Sequence, residues 1–239
     1  MKPKNKFLVS LGLILFFIGA MLGMLFFAGL TWPHLEANFY FGYSGGADTR
    51  MRLFCPHILT PKDSGVVTSA VTNKVDKPIS PIIQTEISGP IMQTLRTRPS
   101  IDPGQTLNLK WDVNADDLAY GHLIMVEVYQ YSTYKTPTAT ANCGTLFLFL
   151  PALTGQQIYL SALAASLIGM ISGIFIWILG NGTLTGLEQE RLWGMVVLAG
   201  IIVLGILLGT LGQWILGTLA LALSVLMFVI QLSRRLAAS

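Results

Sequence analysis

The residues best suited to chemistry lie in the stretch Met51-Arg52-Leu53-Phe54-Cys55-Pro56-His57, and the only other cysteine is Cys143. A thiol and an imidazole this close support three chemistries. Cys55 can close a disulfide with Cys143. Alternatively, Met51, Cys55 and His57, with His122 and Met125, offer the sulfur and imidazole donors that copper favours; Met51 and Cys55 share one strand face by their even spacing. Third, Cys55 can be a reactive thiol, which requires an exposed electropositive setting. Cys-Pro-His is a short loop for copper, and neither a zinc spacing nor a Cys-x-x-Cys-His haem site is present. Asp116-Asp117 sits in a turn and reads as solvated. There is no G-x-S-x-G, phosphate loop or H-E-x-x-H motif. No catalytic residue and no cofactor are expected.

The choice among the three depends on where Cys55 resides. The 239 residues are 52% hydrophobic and 11% charged, against roughly 25% charged in a soluble domain. Residues 7–30 and 157–179 carry no charge, nor does the run 192–232. A crossing helix needs about 20 apolar residues. The 41-residue run is about 60 Å long as a helix, so it must fold back, best at Gly212-Gln213-Trp214. Four spans result. The first apolar run exceeds the roughly 7–15 residues of a signal-peptide core, and reads as an uncleaved anchor.

Lys2, Lys4, Lys6, Arg191, Arg234 and Arg235 then fall on one side with Glu188 and Glu190, a net of +4; the long segment between spans one and two has a net of −1. Short basic flanks stay in the cytoplasm. Tryptophans 32, 177, 193 and 214 mark the predicted borders. The expected organisation is a cytoplasmic N-terminus (1–6), helix one (7–32), an extracytoplasmic β-domain (36–151), helix two (157–179), a cytoplasmic loop (180–191), helix three (192–212), helix four (214–232) and a cytoplasmic tail (233–239). This places the protein in a cell membrane as a multi-pass chain, with residues 33–156 outside. The charge is too sparse and mixed for nucleic acid. Outside, thiols oxidise, which favours Cys55–Cys143; closing 88 residues contributes about 4–5 kcal/mol in the chain-entropy model.

Strands are expected at 49–55, 65–73, 81–87, 107–113, 122–131 and 144–150, with a further one at 37–43. Leu107, Leu109, Trp111 and Val113 alternate with polar residues, the mark of a half-buried strand. Six or seven short strands separated by turn signals indicate an antiparallel β-sandwich. The fold class is therefore α+β: a sandwich inserted after the first of four transmembrane helices. In the last strand, Leu146, Leu148 and Leu150 are expected to face the core. Phe147 and Phe149 would then need cover from lipid, the helices or a partner.

In the membrane, Ser161, Ala165, Gly169 and Gly173 recur every four residues, as do Gly19 and Gly23, and Gly205 and Gly209. Such spacing lets helices approach closely. It serves packing within the bundle or docking of another subunit, for which helix two is the best candidate. Ser166, Ser172, Thr210 and Ser224 are expected to bond their own helices. Thr185 and Glu188 have capping-box spacing, and Asn181-Gly182-Thr183 matches a glycosylation sequon on the cytoplasmic side.

The stretches Ser64–Ser88 and Ile101–Val113, with a strand ending in Asn73 and a Pro103-Gly104-Gln105-Thr106 turn opening a later strand, resemble bacterial immunoglobulin-like and fibronectin-III-like modules of the cell-adhesion-related class. The resemblance covers about residues 50–150 and implies a non-enzymatic binding or spacing role. The four-span layout is also similar to that of claudin-like proteins, without their tryptophan–cysteine signature. The expectation is a membrane-anchored interaction protein, an accessory or assembly subunit that partners the bilayer and another membrane protein or a second copy. An envelope adhesion or sensor protein, or a metal-handling protein, are the alternatives.

Overall fold

The structure is a computed structural model, and it describes residues 5–42, 51–131, 138–182, 184 and 186–236. Lys2, Lys4, Tyr43, Thr49, Arg50, Thr183 and Thr185, on which parts of the topology, strand, sequon and capping-box expectations rest, lie outside them. So do the side chains of Arg234 and Arg235. The fold is α+β, with four apolar helices and two β-sheets. The chain divides into two compact units, 1–31 with 159–239, and 32–158.

The first unit is helical. Helix α1 (Lys6–Phe41) enters it from the N-terminus; α2 (Gly155–Asn181), α3 (Leu187–Thr210) and α4 (Trp214–Leu236) complete it. All four are long and apolar enough to cross a membrane. The long apolar run breaks after Thr210, and Gly212 supplies the left-handed conformation (φ 68°) that ends α3. Beyond Gly155 at its start, the buried residues of α2 are Ser166, Met170, Gly173, Trp177, Gly180 and Asn181, one stripe at helical spacing. Leu160, Ile168, Ile171, Phe175 and Leu179 are exposed on the rest of that helix, a surface suited to lipid.

The described residues of the second unit form eight strands: β1 (Arg52–Phe54), β2 (Ile58–Leu59), β3 (Gly65–Thr72), β4 (Ile83–Ile87), β5 (Gln93–Thr97), β6 (Thr106–Val113), β7 (Leu123–Gln130) and β8 (Ala139–Phe147). One sheet has the order β1-β3-β6, the other β2-β8-β7-β4-β5. Pairing is antiparallel except for β2 with β8, which is parallel and two residues long. The sheets share a core built from period-two alternation: Val67 and Val71, Ile83 and Ile87, Trp111 and Val113, and Ile124, Val126 and Val128, with Cys143 and Phe147 from β8. The inward face expected of β6 is the one observed.

Four local expectations are corrected. Residues 37–41 are not a strand: α1 runs unbroken to Phe41, through Pro33, and its last ten residues belong to the second unit. Ala37 and Phe41 pack there against Ala119, Leu123, Met125 and Leu146. Strand β8 starts at Ala139, five residues earlier than expected, and β2 and β5 lack sequence signals altogether. Asp117 is buried rather than solvated. It closes a capping box around the 3-10 turn Ala115–Asp117: its Oδ2 accepts from Asn114 N (2.9 Å) and its Oδ1 from Gln93 Nε2 (3.0 Å).

Candidate functional site

Cys55 and Cys143 form a disulfide, with Cα atoms 6.1 Å apart and 88 residues between them in sequence. Cys55 follows β1 and Cys143 lies on β8, so the bond ties the two sheets across their common core. This removes the thiolate from both the copper and the reactive-thiol readings. Met51, the second donor of the copper set, is a core residue. His57 is half-buried, and burial lowers its imidazole below the usual value, which keeps it neutral. His122 is exposed, its Nδ1 2.7 Å from the Tyr120 carbonyl, and Met125 is buried against α1. Among the described residues no three His, Cys, Asp or Glu side chains converge on a metal position.

The disulfide also sets the faces of β8. Cys143 points into the core, and with a period of two so do Thr145 and Phe147. Phe147 is 1% exposed, so the expectation that it needs outside cover is overturned. Leu146 instead packs toward Ala37 and Phe41. Phe149, beyond the strand, is exposed and meets the Phe147 ring edge to face at 5.1 Å.

The small residues divide similarly. A Cβ on Gly173 would overlap the backbone of Phe16 and Gly12; one on Gly19 would meet Met170 N and Gly169. Gly23 lies against Ser166 and Ile202, Gly205 against the Phe27 ring, and Gly209 against Leu30 and Thr31. These glycines are spent on α1 packing against α2 and α3. Ser161 and Ala165 are exposed: a repeat of four advances about 40° per step on a helix of 3.6 residues per turn, so the ladder drifts off the contact stripe. Ser166 Oγ donates across to Gly19 O (3.0 Å) rather than to its own helix. Ser172, Thr210 and Ser224 do bond their own helices.

An organised polar surface lies on the outer face of the five-stranded sheet. Register places Asn142 (β8), Glu127 (β7), Glu86 (β4) and Thr94 (β5) in one row, and Thr140, Tyr129, Gln84 and Arg96 in the next. Gln84 organises them: its Nε2 donates to Glu86 Oε1 (2.6 Å), and its Oε1 accepts from Arg96 Nε and Tyr131 Oη, both at 2.8 Å. Glu127 stands directly opposite Glu86. Burial, and then the Glu86 carboxylate, push its carboxyl up to about 7. Sequence reading finds no paired carboxylates because Glu86 and Glu127 lie 41 positions apart; only the β4–β7 register brings them together. The arrangement can hold and release a proton near neutral pH.

A second cluster fastens the start of α2. Asp63 Oδ2 accepts from Thr60 N (3.0 Å), Thr60 Oγ1 (2.9 Å) and Gly155 N (2.7 Å), the last an N–H of the first helical turn. Thr60 Oγ1 also contacts Leu153 O (2.8 Å), and Lys62 Nζ donates to Ala152 O (3.1 Å).

No family model matches the chain, and no curated protein does. Solved structures similar to part of it include a Bacteroides uniformis beta-glucuronidase 2 (18% identity, TM-score 0.31, 43% of this chain and 13% of that one). A beta-glucosidase from Listeria innocua is another (9% identity, TM-score 0.30, 44% and 17%). The chain thus spans less than a fifth of the length of either enzyme, and likeness at this level assigns no activity.

Proposed function

We propose that this chain is a non-enzymatic, membrane-anchored interaction protein, an accessory or assembly subunit of a membrane complex. In this reading the four helices lie in a cell membrane with both termini in the cytoplasm. Residues 33–156 stand outside as an immunoglobulin-like β-sandwich held close to the bilayer. The observation that carries it is the Cys55–Cys143 disulfide: it suits an oxidising compartment and commits the only thiols to structure. The immunoglobulin-like reading draws support from Asn73, which is fully buried. Its Nδ2 donates to Lys77 O and Ile101 O, and its backbone exchanges bonds with Gly104 and Gln105, joining the two stretches that carry the resemblance.

The test is mild detergent extraction of the tagged full-length protein from its native membrane, followed by native mass measurement and mass spectrometry of what co-purifies. A stoichiometric complex with another membrane protein is expected. A monomer, or an oligomer of this chain alone, overturns the accessory-subunit reading. The envelope-sensor reading is favoured by one observation, the pairing of Glu127 with Glu86 across β7 and β4, where burial and the Glu86 carboxylate push the Glu127 carboxyl up to about 7.

A further inference from the structure

Strand β5 is the edge of the five-stranded sheet, and all five of its residues are exposed on both faces. The other edge strands differ. β1 and β2 are three and two residues long, and β6 buries Trp111 and Val113. Short or partly buried edges resist pairing with other chains, whereas a five-residue edge open on both faces invites it. Hydrogen bonding gives the direction of its main chain. Tyr131 N donates to Ile82 O, and Ser88 N to Met125 O, so even-numbered residues of β4 bond toward β7. In an antiparallel ladder the odd-numbered residues, Ile83, Thr85 and Ile87, then bond toward β5, at Thr97, Leu95 and Gln93. Thr94 and Arg96 therefore turn their N–H and C=O groups to the open edge. No strand among the described residues pairs with β5 on that side.

The charged side chains of the edge segment itself are basic, while the nearest carboxylate in the row, Glu86, lies one strand in, on β4. Residues 91–100 contain Arg96 and Arg98 and no acid. Ile91 is 85% exposed, and Met92 and Leu95 are also exposed. A second copy of β5 laid along the first would bring four arginines into one seam, which disfavours self-pairing. An acidic strand would instead set carboxylates against both guanidiniums and apolar residues against Ile91 and Leu95.

We infer that the open edge of β5 is a docking site for an extended acidic segment of a partner protein, which adds to the sheet as a further strand. This rests on the interaction-protein reading and names the surface it uses. β-strand addition draws affinity from main-chain hydrogen bonds and specificity from alternate side chains. Here the main-chain groups are those of Thr94 and Arg96, and the arginines select for acid.

The experiment uses the full-length protein in nanodiscs and a labelled synthetic peptide of alternating Glu and Val, with its Lys-Val counterpart as control. Binding is read by fluorescence anisotropy, and amide protection by hydrogen exchange. The acidic peptide is expected to bind, to slow exchange at Thr94 and Arg96, and to outbind the basic one. Thr94→Pro removes an outward donor without touching a β4 bond, and is expected to weaken binding by about tenfold or more, about 1.4 kcal/mol; Thr94→Ala should bind as the parent does. Equal binding of both peptides, unchanged exchange at Thr94 and Arg96, or full binding by Thr94→Pro overturns the proposal. So does protection of those amides by anionic nanodiscs alone, which assigns the edge to lipid, or by concentration-dependent self-association, which assigns it to a second copy. A native complex that Thr94→Pro leaves intact overturns this docking site but not the interaction-protein reading.

Discussion

In the helical unit, Gly12, Gly19, Gly173 and Gly180 are where α1 and α2 meet, and any side chain there would meet backbone. In the second unit, which the proposed orientation makes the outer one, the contacts run through large side chains: Trp111, Phe147, Ile83 and Ile124 fill the space between two sheets, and Cys55–Cys143 binds them covalently. The difference follows from the surroundings. Lipid tails compete with apolar side chains on equal terms, so helices associate by bringing backbones close. Water drives large apolar groups together, and a unit of this size gains further from a cross-link. Added atoms are therefore expected to cost most at the helix contacts, and removed atoms most in the core between the sheets.

The largest effect is expected from the cross-link. Replacing Cys55 and Cys143 together by Ala removes about 4–5 kcal/mol in the chain-entropy model. In a variant that keeps Trp111 as its only tryptophan, fluorescence should report an outer unit that unfolds at lower temperature, while the helical far-ultraviolet signal persists. Loss of both signals together would break the contrast. Next comes Gly173→Leu, which forces α2 off Phe16 and should cost about 1–3 kcal/mol or more. Ala165→Leu, on the exposed side of the same helix, should cost almost nothing. Thermal unfolding in detergent measures both, and equal losses would mean that the contact stripe is misplaced.

The smallest effect concerns Glu127. Its folded carboxyl titrates near 7, above the 4.5 of the free group, so the folded state holds the proton more tightly. Stability is full below about pH 4.5 and declines as pH rises through 7. Facing it are Glu86 from β4 and Asn142 from β8; Asp48, Arg50 and Lys135 lie outside the described residues. Glu127→Gln should flatten the pH profile of the outer unit's melting temperature and raise it above pH 7. The gain should stay below about 1 kcal/mol, because solvent screens a half-exposed charge. An unchanged profile would show that burial does not raise the Glu127 carboxyl.

The helices were legible because a run of apolar residues long enough to span is a one-dimensional signal. Strands β3, β4, β6 and β7 were legible because one of their faces is buried, which imposes alternation. β5 was not: Gln93-Thr94-Leu95-Arg96-Thr97 buries neither face and carries no pattern. The helical end of α1 was missed because Phe39, Tyr40 and Phe41 suit strands by propensity, while packing on β7 and β8 favours helix there. The faces of β8 were available from the sequence. If Cys143 reaches across to Cys55, Phe147, four residues on, must face the same way. The Glu86–Glu127 pair was out of reach, since it depends on strand register.

The 88-residue span of the disulfide also has a consequence in time. In the proposed orientation Cys55 leaves the cytoplasm long before its partner exists. At roughly 5–20 residues per second, it waits about 4–18 s as a free thiol while six strands, β2 to β7, are made behind it. Cys143 then arrives only 12 residues before α2 begins. In that orientation the bond can close only once nearly all of the outer unit has been synthesised.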